Sequence, residues 1–234
     1  MWEVPTLADV ELVLVRHAEP EWVRDGFAID DPPLTPRGHR QAQLLAERLC
    51  DEKFDEVLVS PLLRARQTAV PLLSRWGIAI EIAEWLEEIR NPVWHGTPAE
   101  RAEEAFKADR AQPSHLRWNG LPGGEPVRDF VARIRVTAGA FLAEREVELA
   151  REDLPVWRLG KPDSRILLIA HAGTHSVFTC HLLGLQPVPW EWERFVLGHA
   201  SVSRVESLEV GDGHTFSLSR LSDVEHLPQD IRTR

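Results

Sequence analysis

Two arginines and two histidines have the residue types needed to bind and transfer a phosphoryl group. Arg16 and His17 are adjacent, Arg64 comes four residues after Ser60, and His171 lies much later in the chain. A guanidinium presents a planar fork of donors that matches phosphate oxygens and keeps its charge near neutral pH. A neutral imidazole, whose ordinary pKa is about 6.5, can attack phosphorus. Together these residues predict an anion site with phosphoryl-transfer chemistry.

Attack by a histidine would give a phosphohistidine, and a nearby acid would then have to protonate the leaving alcohol. Glu87 and Glu88, just after Trp85, are the local carboxylates for that role. Taken singly, a histidine at a strand end is more often structural, and Arg64 alone is more often a solvated helix residue. One of the two glutamates is expected to be an ordinary surface charge. It is the joint placement of these groups that favours a site.

Strands and helices alternate along the chain, and their predicted positions place these side chains. Short β-branched or apolar runs predict strands at 11–16, 57–60, 79–82, 165–170, 201–209 and 214–221. Caps, prolines and apolar spacing predict helices from Thr35-Pro36, from Pro61 to about Leu73, near 98–107, from Pro126 to about Arg151, and from Thr174.

The alternation predicts an α/β fold with a mostly parallel sheet covered by helices on both faces. Ligands of such sheets bind beyond the carboxyl ends of the strands. Arg16-His17, Ser60 and His171 each come at the end of a predicted strand, so we expect them to share one crevice. With no repeat or long linker, residues 1–234 are interpreted as one domain, with a cap-like excursion at about 91–125.

Composition limits the partners. The 234 residues carry a net charge of −10, which argues against nonspecific binding to nucleic acid or an anionic membrane. Two cysteines, Cys50 and Cys180, cannot form a disulfide framework or a cysteine-rich metal site. Residues 1–5 lack the features of a secretory signal, and no apolar run approaches the roughly 20 residues that span a bilayer. We therefore expect a cytoplasmic protein.

Six segments, in order, resemble motifs of the histidine phosphatase superfamily, which includes the cofactor-dependent phosphoglycerate mutases. The resemblance covers residues 12 to about 205 and rests on Leu14-Val-Arg-His-Ala-Glu19, Pro33-Leu-Thr-Pro-Arg-Gly38, Ser60-Pro-Leu-Leu-Arg-Ala-Arg-Gln-Thr-Ala69, Trp85-Leu-Glu-Glu-Ile89, Pro122-Gly-Gly-Glu125 and Ile169-Ala-His-Ala-Gly173.

The resemblance implies a three-layer α/β/α sandwich and a role for each site residue. His17 would accept the phosphoryl group. Arg16, Arg64 and His171 would hold the phosphate oxygens and stabilise charge during transfer, so that His171 is also a catalytic residue. Glu88, rather than the glutamate before it, would donate the proton and later act as base for water. The resemblance implies no metal and no other cofactor.

The chain departs from the family pattern at several positions. Ala18 and Ala172 replace glycines. Val23 stands where many relatives have an asparagine that contacts phosphate, and Arg24 is a candidate to compensate for it. His199 stands where an asparagine often begins the corresponding segment.

Two features favour a phosphatase over a mutase. The chain has no tyrosine, and the sequence after Glu88 lacks the basic run expected in the mutases. Phosphoglycerate mutase-type phosphoryl transfer remains an alternative. A catalytically silent binder of phosphorylated ligands or of a partner protein is a second alternative, and a metal-dependent hydrolase is a third. The spacing of His171 and His175 suits a helical metal pair, but no glutamate follows His171 as that motif requires.

The expected substrate is a phosphorylated small molecule whose identity the sequence leaves open. A homodimer and a monomer are both compatible with the sequence. Candidate substrate contacts in the excursion and just before it are Arg90, Trp94, His95, Arg101, Arg117 and Trp118, each of which also has a packing or surface interpretation.

Overall fold

The computed structural model describes residues 9–76, 79–151, 153–161 and 163–234. The expectation that residues 1–5 carry no secretory signal lies outside this part of the chain. Within it, no helix is long and apolar enough to cross a membrane.

The described residues form ten strands and six α-helices. The strands are β1 (Val10–Arg16), β2 (Val23–Arg24), β3 (Phe27–Ala28), β4 (Glu56–Val59), β5 (Glu81–Ile82), β6 (Val147–Leu149), β7 (Trp157–Leu159), β8 (Ser164–Ala170), β9 (Val202–Val210) and β10 (Gly213–Asp223). The helices are α1 (Pro36–Arg48), α2 (Leu63–Trp76), α3 (Ala99–Ala111), α4 (Val127–Ala143), α5 (Ala172–Leu182) and α6 (Glu191–Arg194). Short 3-10 turns cover Glu84–Leu86, Ser114–Asn119 and Gln229–Ile231.

Eight of the described strands form one central sheet in the order β5-β4-β8-β1-β9-β10-β7-β6. Strands β5, β4, β8 and β1 are parallel, and the others pair antiparallel. Arg16 at the end of β1 is in register with Ala170 at the end of β8, and Val59 at the end of β4 pairs with Ile169. The parallel half therefore brings three strand ends to one edge of the sheet.

Both faces of the sheet are buried, which confirms the predicted three-layer α/β/α class. Along β1, Leu12 and Leu14 pack into one core with residues of α4 and α5. Val13 and Val15 point the other way and pack with residues of α1 and α2. Because successive side chains of a strand point to opposite faces, a strand covered on both sides is an unbroken apolar run, as in the sequence.

The start of α1 fixes the loop that follows His17. Thr35 caps the helix, since its Oγ1 accepts from the Gly38 N–H at 2.9 Å, and Pro36 occupies the first turn as predicted. Gly38 packs so closely that a Cβ there would lie 2.1 Å from the carbonyl oxygen of Glu19. Only glycine permits this approach of the helix to the loop.

The prediction that α4 runs to about Arg151 is wrong. The helix ends at Ala143, Glu146 adopts a left-handed φ of 59°, and β6 begins at Val147. The charged run 144–146 suits a helix by propensity, but burial of Val147 and pairing of β6 with β7 override it. The sequence prediction also missed β2, β3, β6 and β7, which have only two or three residues each.

The hairpin β2–β3 and the excursion 91–125 pack on one another. Ala28 N–H donates to the carbonyl of Thr97 at 2.9 Å. Ala28, Trp94 and Leu121 form a small apolar cluster separate from the two cores of the sheet. Two segments distant in sequence thus build one cover beside the strand ends.

Candidate active site

Three strand ends bring the predicted residues together. The His17 N–H donates to the carbonyl of Ala170 at 2.8 Å, and the Ser60 N–H donates to that of Ile169 at 3.0 Å. The imidazole of His171 lies directly beyond β8, with its ring centroid 5.1 Å from that of His17. The crevice expected from the sequence is therefore present.

His17 is held as a neutral imidazole with one free nitrogen. Its side chain is 3% exposed, and Nδ1 lies 2.8 Å from the carbonyl oxygen of Ala18. Because a carbonyl only accepts, Nδ1 carries the hydrogen and Nε2 keeps its lone pair. Burial and the neighbouring cations Arg64 and Arg16 hold the pKa of His17 well below 6.5. At neutral pH Nε2 can act as a nucleophile.

Arg16 and Arg64 present N–H groups that make no hydrogen bond to any described residue. These are both Nε atoms and Nη1 of Arg64, and the last lies 3.7 Å from Oδ1 of the half-exposed Asp31. Burial lowers the pKa of Arg16 to about 10, opposed by the carboxylate of Glu88, so the guanidinium stays charged at neutral pH. Arg64 also stacks on Trp22, with its Cζ 4.9 Å from the ring centroid. Buried unpaired donors are costly, and an oxyanion in the cavity would satisfy them.

His171 adds a further polar atom to this set. Its Nε2 shares a 2.7 Å hydrogen bond with Ser60 Oγ, whereas Nδ1 is buried and has no partner. Burial and the charge of Arg64 keep its pKa well below 6.5. Ser60 thus orients the ring. His171 is fully buried and is absent from the described lining of the adjoining cavity, so its contact with a phosphate oxygen stays a prediction.

The two candidate acids, Glu87 and Glu88, lie in different surroundings. Glu88 lines the cavity, and its Oε2 accepts from the Gly173 N–H at 2.9 Å. Glu87 instead forms an ion pair with Arg90, 2.7 Å from its Nη2. Burial lowers the pKa of both arginines and the charge of Glu88 opposes it at each, whereas Glu87 has a smaller effect and only on Arg64.

The strand ends open into a cavity of about 230 Å³, which has room for a phosphoryl group with a small organic substituent. Its inner part is lined by Arg16, His17, Arg64, Glu88 and Gly173. Its outer part is lined by residues of the excursion and of α6, namely Phe106, Asp109, Arg110, Arg117, Gly120, Leu121, Trp192 and Glu193.

Of the candidate contacts in and around the excursion, Arg90 and Arg117 line the cavity. Arg117 is held by Glu193, whose two oxygens accept from its Nη atoms at 2.8 and 3.2 Å. The described lining leaves out Trp94, His95, Arg101 and Trp118. The sequence prediction missed Phe106, Asp109 and Trp192, because their helices carry no motif that points to a ligand.

The departures from the family pattern have visible consequences. Val23 is exposed, and Arg24 is exposed and ion-paired with Glu21. The described cavity lining includes neither Val23 nor Arg24, so Arg24 does not compensate in this conformation. His199, in contrast, is buried, and its Nε2 lies 3.0 Å from Nη2 of Arg16.

Comparison with known proteins agrees with this geometry. A model of the histidine phosphatase superfamily (branch 1) matches residues 12–221. The chain is 33% identical over 184 residues to Phosphoserine phosphatase 1 of Hydrogenobacter thermophilus, covering 75% of this chain and 77% of that protein. It is 28% identical over 203 residues to a probable phosphoglycerate mutase GpmB of Yersinia enterocolitica, covering 86% of each. The solved structure of a putative alpha-ribazole-5'-P phosphatase from Escherichia coli matches with a TM-score of 0.67 and 25% identity, over 92% of this chain and 97% of that one.

Proposed function

Because the chain belongs to the histidine phosphatase superfamily, we propose that it hydrolyses phosphomonoesters through a phosphohistidine intermediate on His17. The observation that carries the proposal is the hydrogen bond between Nδ1 of His17 and the carbonyl of Ala18, which fixes the tautomer of the ring. Its Nδ1–H donates to the Ala18 carbonyl, which leaves Nε2 free, and the ring lines the same cavity as Arg16 and Arg64, whose buried Nε atoms make no hydrogen bond to the described residues.

In the first step, Nε2 of His17 attacks phosphorus and the bond from phosphorus to the ester oxygen breaks. Arg16, Arg64 and His171 hold the nonbridging oxygens and stabilise the negative charge of the transition state. Glu88 takes up the proton that a phosphomonoester monoanion carries into the site and gives it to the departing alkoxide, so that the product leaves as an alcohol.

In the second step, Glu88, now a carboxylate, takes a proton from water. The water oxygen attacks phosphorus, the bond from phosphorus to Nε2 breaks, and inorganic phosphate forms. His17 returns to its neutral state with Nδ1 still donating to Ala18. The residues of the chain alone supply the nucleophile, the acid and the charge stabilisation, without a step that needs a metal.

The substrate is a phosphorylated small molecule. The cover formed by the hairpin β2–β3 and the excursion 91–125 contacts its organic part. Phosphoserine is the first ester to try, since a relative that is 33% identical is named a phosphoserine phosphatase. The outer wall, which presents Arg117 with Asp109 and Glu193, offers charges of both signs to such a zwitterion.

Phosphoglycerate mutase activity is the second candidate, because the matched GpmB protein covers 86% of this chain. A mutase must keep water from its phosphohistidine while the intermediate reorients. The sequence has no tyrosine, and Arg90 is exposed and ion-paired with Glu87. Both observations give less support to binding of a bisphosphorylated sugar acid.

The test is phosphate release from an aryl phosphate with EDTA present, comparing the wild type, His17→Ala and the matched control His95→Ala. We expect release by the wild type and the control, and none by His17→Ala at unchanged circular dichroism. Orthovanadate, which resembles five-coordinate phosphorus, should inhibit. Release by His17→Ala equal to wild type would contradict the proposal. No release from any of the three would leave the mutase and the silent binder, which a phosphoglycerate interconversion assay separates.

A further inference from the structure

Next to Arg16, two side chains that are absent from the described cavity lining form a hydrogen-bonded relay. Arg16 Nη2 lies 3.0 Å from His199 Nε2, and His199 Nδ1 lies 2.9 Å from Thr233 Oγ1. We propose that His199, supported by Thr233, is a positioning residue that fixes the guanidinium of Arg16 for phosphoryl transfer. The inference rests on the proposed function and assigns a role to two residues outside the matched motifs.

The direction of each hydrogen bond follows from the chemistry of the donors. A guanidinium has no acceptor, so Nη2 must donate and His199 Nε2 must accept. The single proton of the neutral ring is then on Nδ1, which donates to the Thr233 hydroxyl oxygen. Burial, and then the charges of Arg16 and Arg64, lower the pKa of His199 to about 3, so the accepting nitrogen stays unprotonated across the neutral range.

Thr233 is itself held in place, which gives the relay a fixed end. The fully buried Gln41 donates from Nε2 to Thr233 Oγ1 at 2.9 Å and to the carbonyl of Ile231 at 2.7 Å. The His199 N–H donates to the Thr233 carbonyl at 3.0 Å. Gln41 Oε1 also accepts from the N–H of Glu19 at 2.8 Å, so the same amide contacts the loop that follows His17.

The relay leaves part of the guanidinium unengaged. Nη1 of Arg16 donates to the Leu197 carbonyl at 2.6 Å and Nη2 donates to His199, whereas Nε is buried with no partner. Two protein acceptors therefore set the plane of the group before any ligand arrives. A preset donor loses less entropy on binding an oxyanion and keeps its alignment in the transition state.

His199 acts through Arg16 rather than on the ligand. Both of its ring nitrogens are engaged, Nε2 with Arg16 and Nδ1 with Thr233, so neither is left for a ligand. Loss of its acceptor would leave Nη2 unpaired and free the guanidinium to rotate about its side chain. Since small misplacements of a catalytic group cost up to about 100-fold in rate, we expect a large kinetic effect with an intact fold.

The experiment compares His199→Ala with His199→Gln, and Thr233→Val with Thr233→Ser. The glutamine amide offers both an acceptor and a donor, and serine keeps the hydroxyl that valine lacks. Steady-state kinetics with an aryl phosphate, the inhibition constant of orthovanadate and the melting temperature are measured on each variant. We expect kcat/KM to fall about 10- to 100-fold in His199→Ala and about 3- to 10-fold in Thr233→Val, with weaker vanadate inhibition. The glutamine and serine variants should recover most of the loss.

Wild-type kcat/KM and vanadate inhibition in both His199→Ala and Thr233→Val would overturn the inference. Equal losses in the alanine and glutamine variants of His199 would also overturn it, since a packing role does not depend on the acceptor. If the wild type released no phosphate, calorimetric binding of inorganic phosphate to the same variants would test the relay separately. Weaker phosphate binding by His199→Ala than by His199→Gln would then support the relay, although the proposed hydrolysis had failed.

Discussion

The backbone N–H of Gly173 donates to Oε2 of Glu88 at 2.9 Å, joining the proposed acid to the helix that begins beyond the second histidine. The two residues lie 85 positions apart in the chain. A Cβ on Gly173 would come within 2.4 Å of Oε1 of the same carboxylate. Glycine is therefore needed here for the close approach of a side chain, not for an unusual backbone conformation.

Replacing this glycine should displace the acid. We expect Gly173→Ala to lower kcat for an alkyl phosphate by about 10-fold or more, because Glu88 must move out of reach of the leaving oxygen. The matched control is Gly139→Ala in α4, where an added Cβ meets no atom within 4 Å. The control should keep full activity and gain about 0.5–1 kcal/mol of stability, as glycine is a poor helix former. Equal kcat in the two variants would contradict this placement of the acid.

Replacing Glu88 by a residue that cannot donate a proton should slow the hydrolysis of esters with poor leaving groups most. We predict that Glu88→Gln slows hydrolysis of an alkyl phosphate by about 100- to 10,000-fold, and that of an acidic phenol ester much less, since a stable phenolate needs little protonation. Glu87→Gln is the control, because Glu87 pairs with Arg90. The measurement is kcat against leaving-group pKa for both variants. Identical slopes for Glu88→Gln and wild type would exclude the acid role.

Arg133 holds the segment that carries the acid. Its guanidinium donates twice to Glu125 at 2.9 Å and also to the carbonyls of Glu87 and Glu88, each at 3.2 Å. Lysine cannot reproduce this planar set of donors. Arg133→Lys should therefore lower the free energy of unfolding by about 2 kcal/mol and reduce kcat.

Denaturant unfolding and steady-state kinetics check this prediction. The control is Arg128→Lys on the same helix, since Arg128 is exposed and its one side-chain hydrogen bond to the described residues goes to Asn119. Wild-type stability and kcat in Arg133→Lys would show that the network does not support Glu88.

Buried histidines should make stability depend on pH. Burial lowers the pKa of His175 and of His181 to about 4 and that of His199 to about 3, whereas an unfolded histidine titrates near pH 6.5. Between these values the unfolded chain binds protons that the folded chain does not, so stability falls as the pH drops from about 7 towards 4. The melting temperature should be lower at pH 5 than at pH 7.5.

His181→Leu tests the contribution of one such group. Its Nε2 is buried without a partner, so leucine removes a titrating group at little structural cost. The slope of unfolding free energy against pH reports how many protons the chain takes up on unfolding. Between pH 5 and 6 this number should be smaller by about one in the variant. An unchanged slope in this variant would mean that His181 protonates equally well in the folded chain.

Local features of the sequence were sufficient to predict where most inner residues of the candidate site lie in the fold. Arg16, His17 and His171 follow apolar runs, and Thr35 precedes a proline and a helical pattern, so strand ends and a helix start could be predicted from neighbours in the chain. The choice of Glu88 over Glu87 came from the resemblance to a family, and the cavity lining agrees with it. The length of α4 could not be predicted in this way, because strand pairing outweighed the helix propensity of residues 144–146.

The sequence by itself determined the fold class, the strand ends and the chemistry of the residues proposed to bind phosphate, because apolar periodicity and residue type are properties of short segments. Only the tertiary structure decided the tautomer of His17, the outward position of Arg24 and the contact of His199 with Arg16, 183 residues away. The tautomer of His17 and the ion pair of Arg24 involve near neighbours in the chain, Ala18 and Glu21, whose relative orientation the residue types alone do not state. The contact of His199 with Arg16 comes from hydrogen bonding between distant segments, which no local pattern encodes.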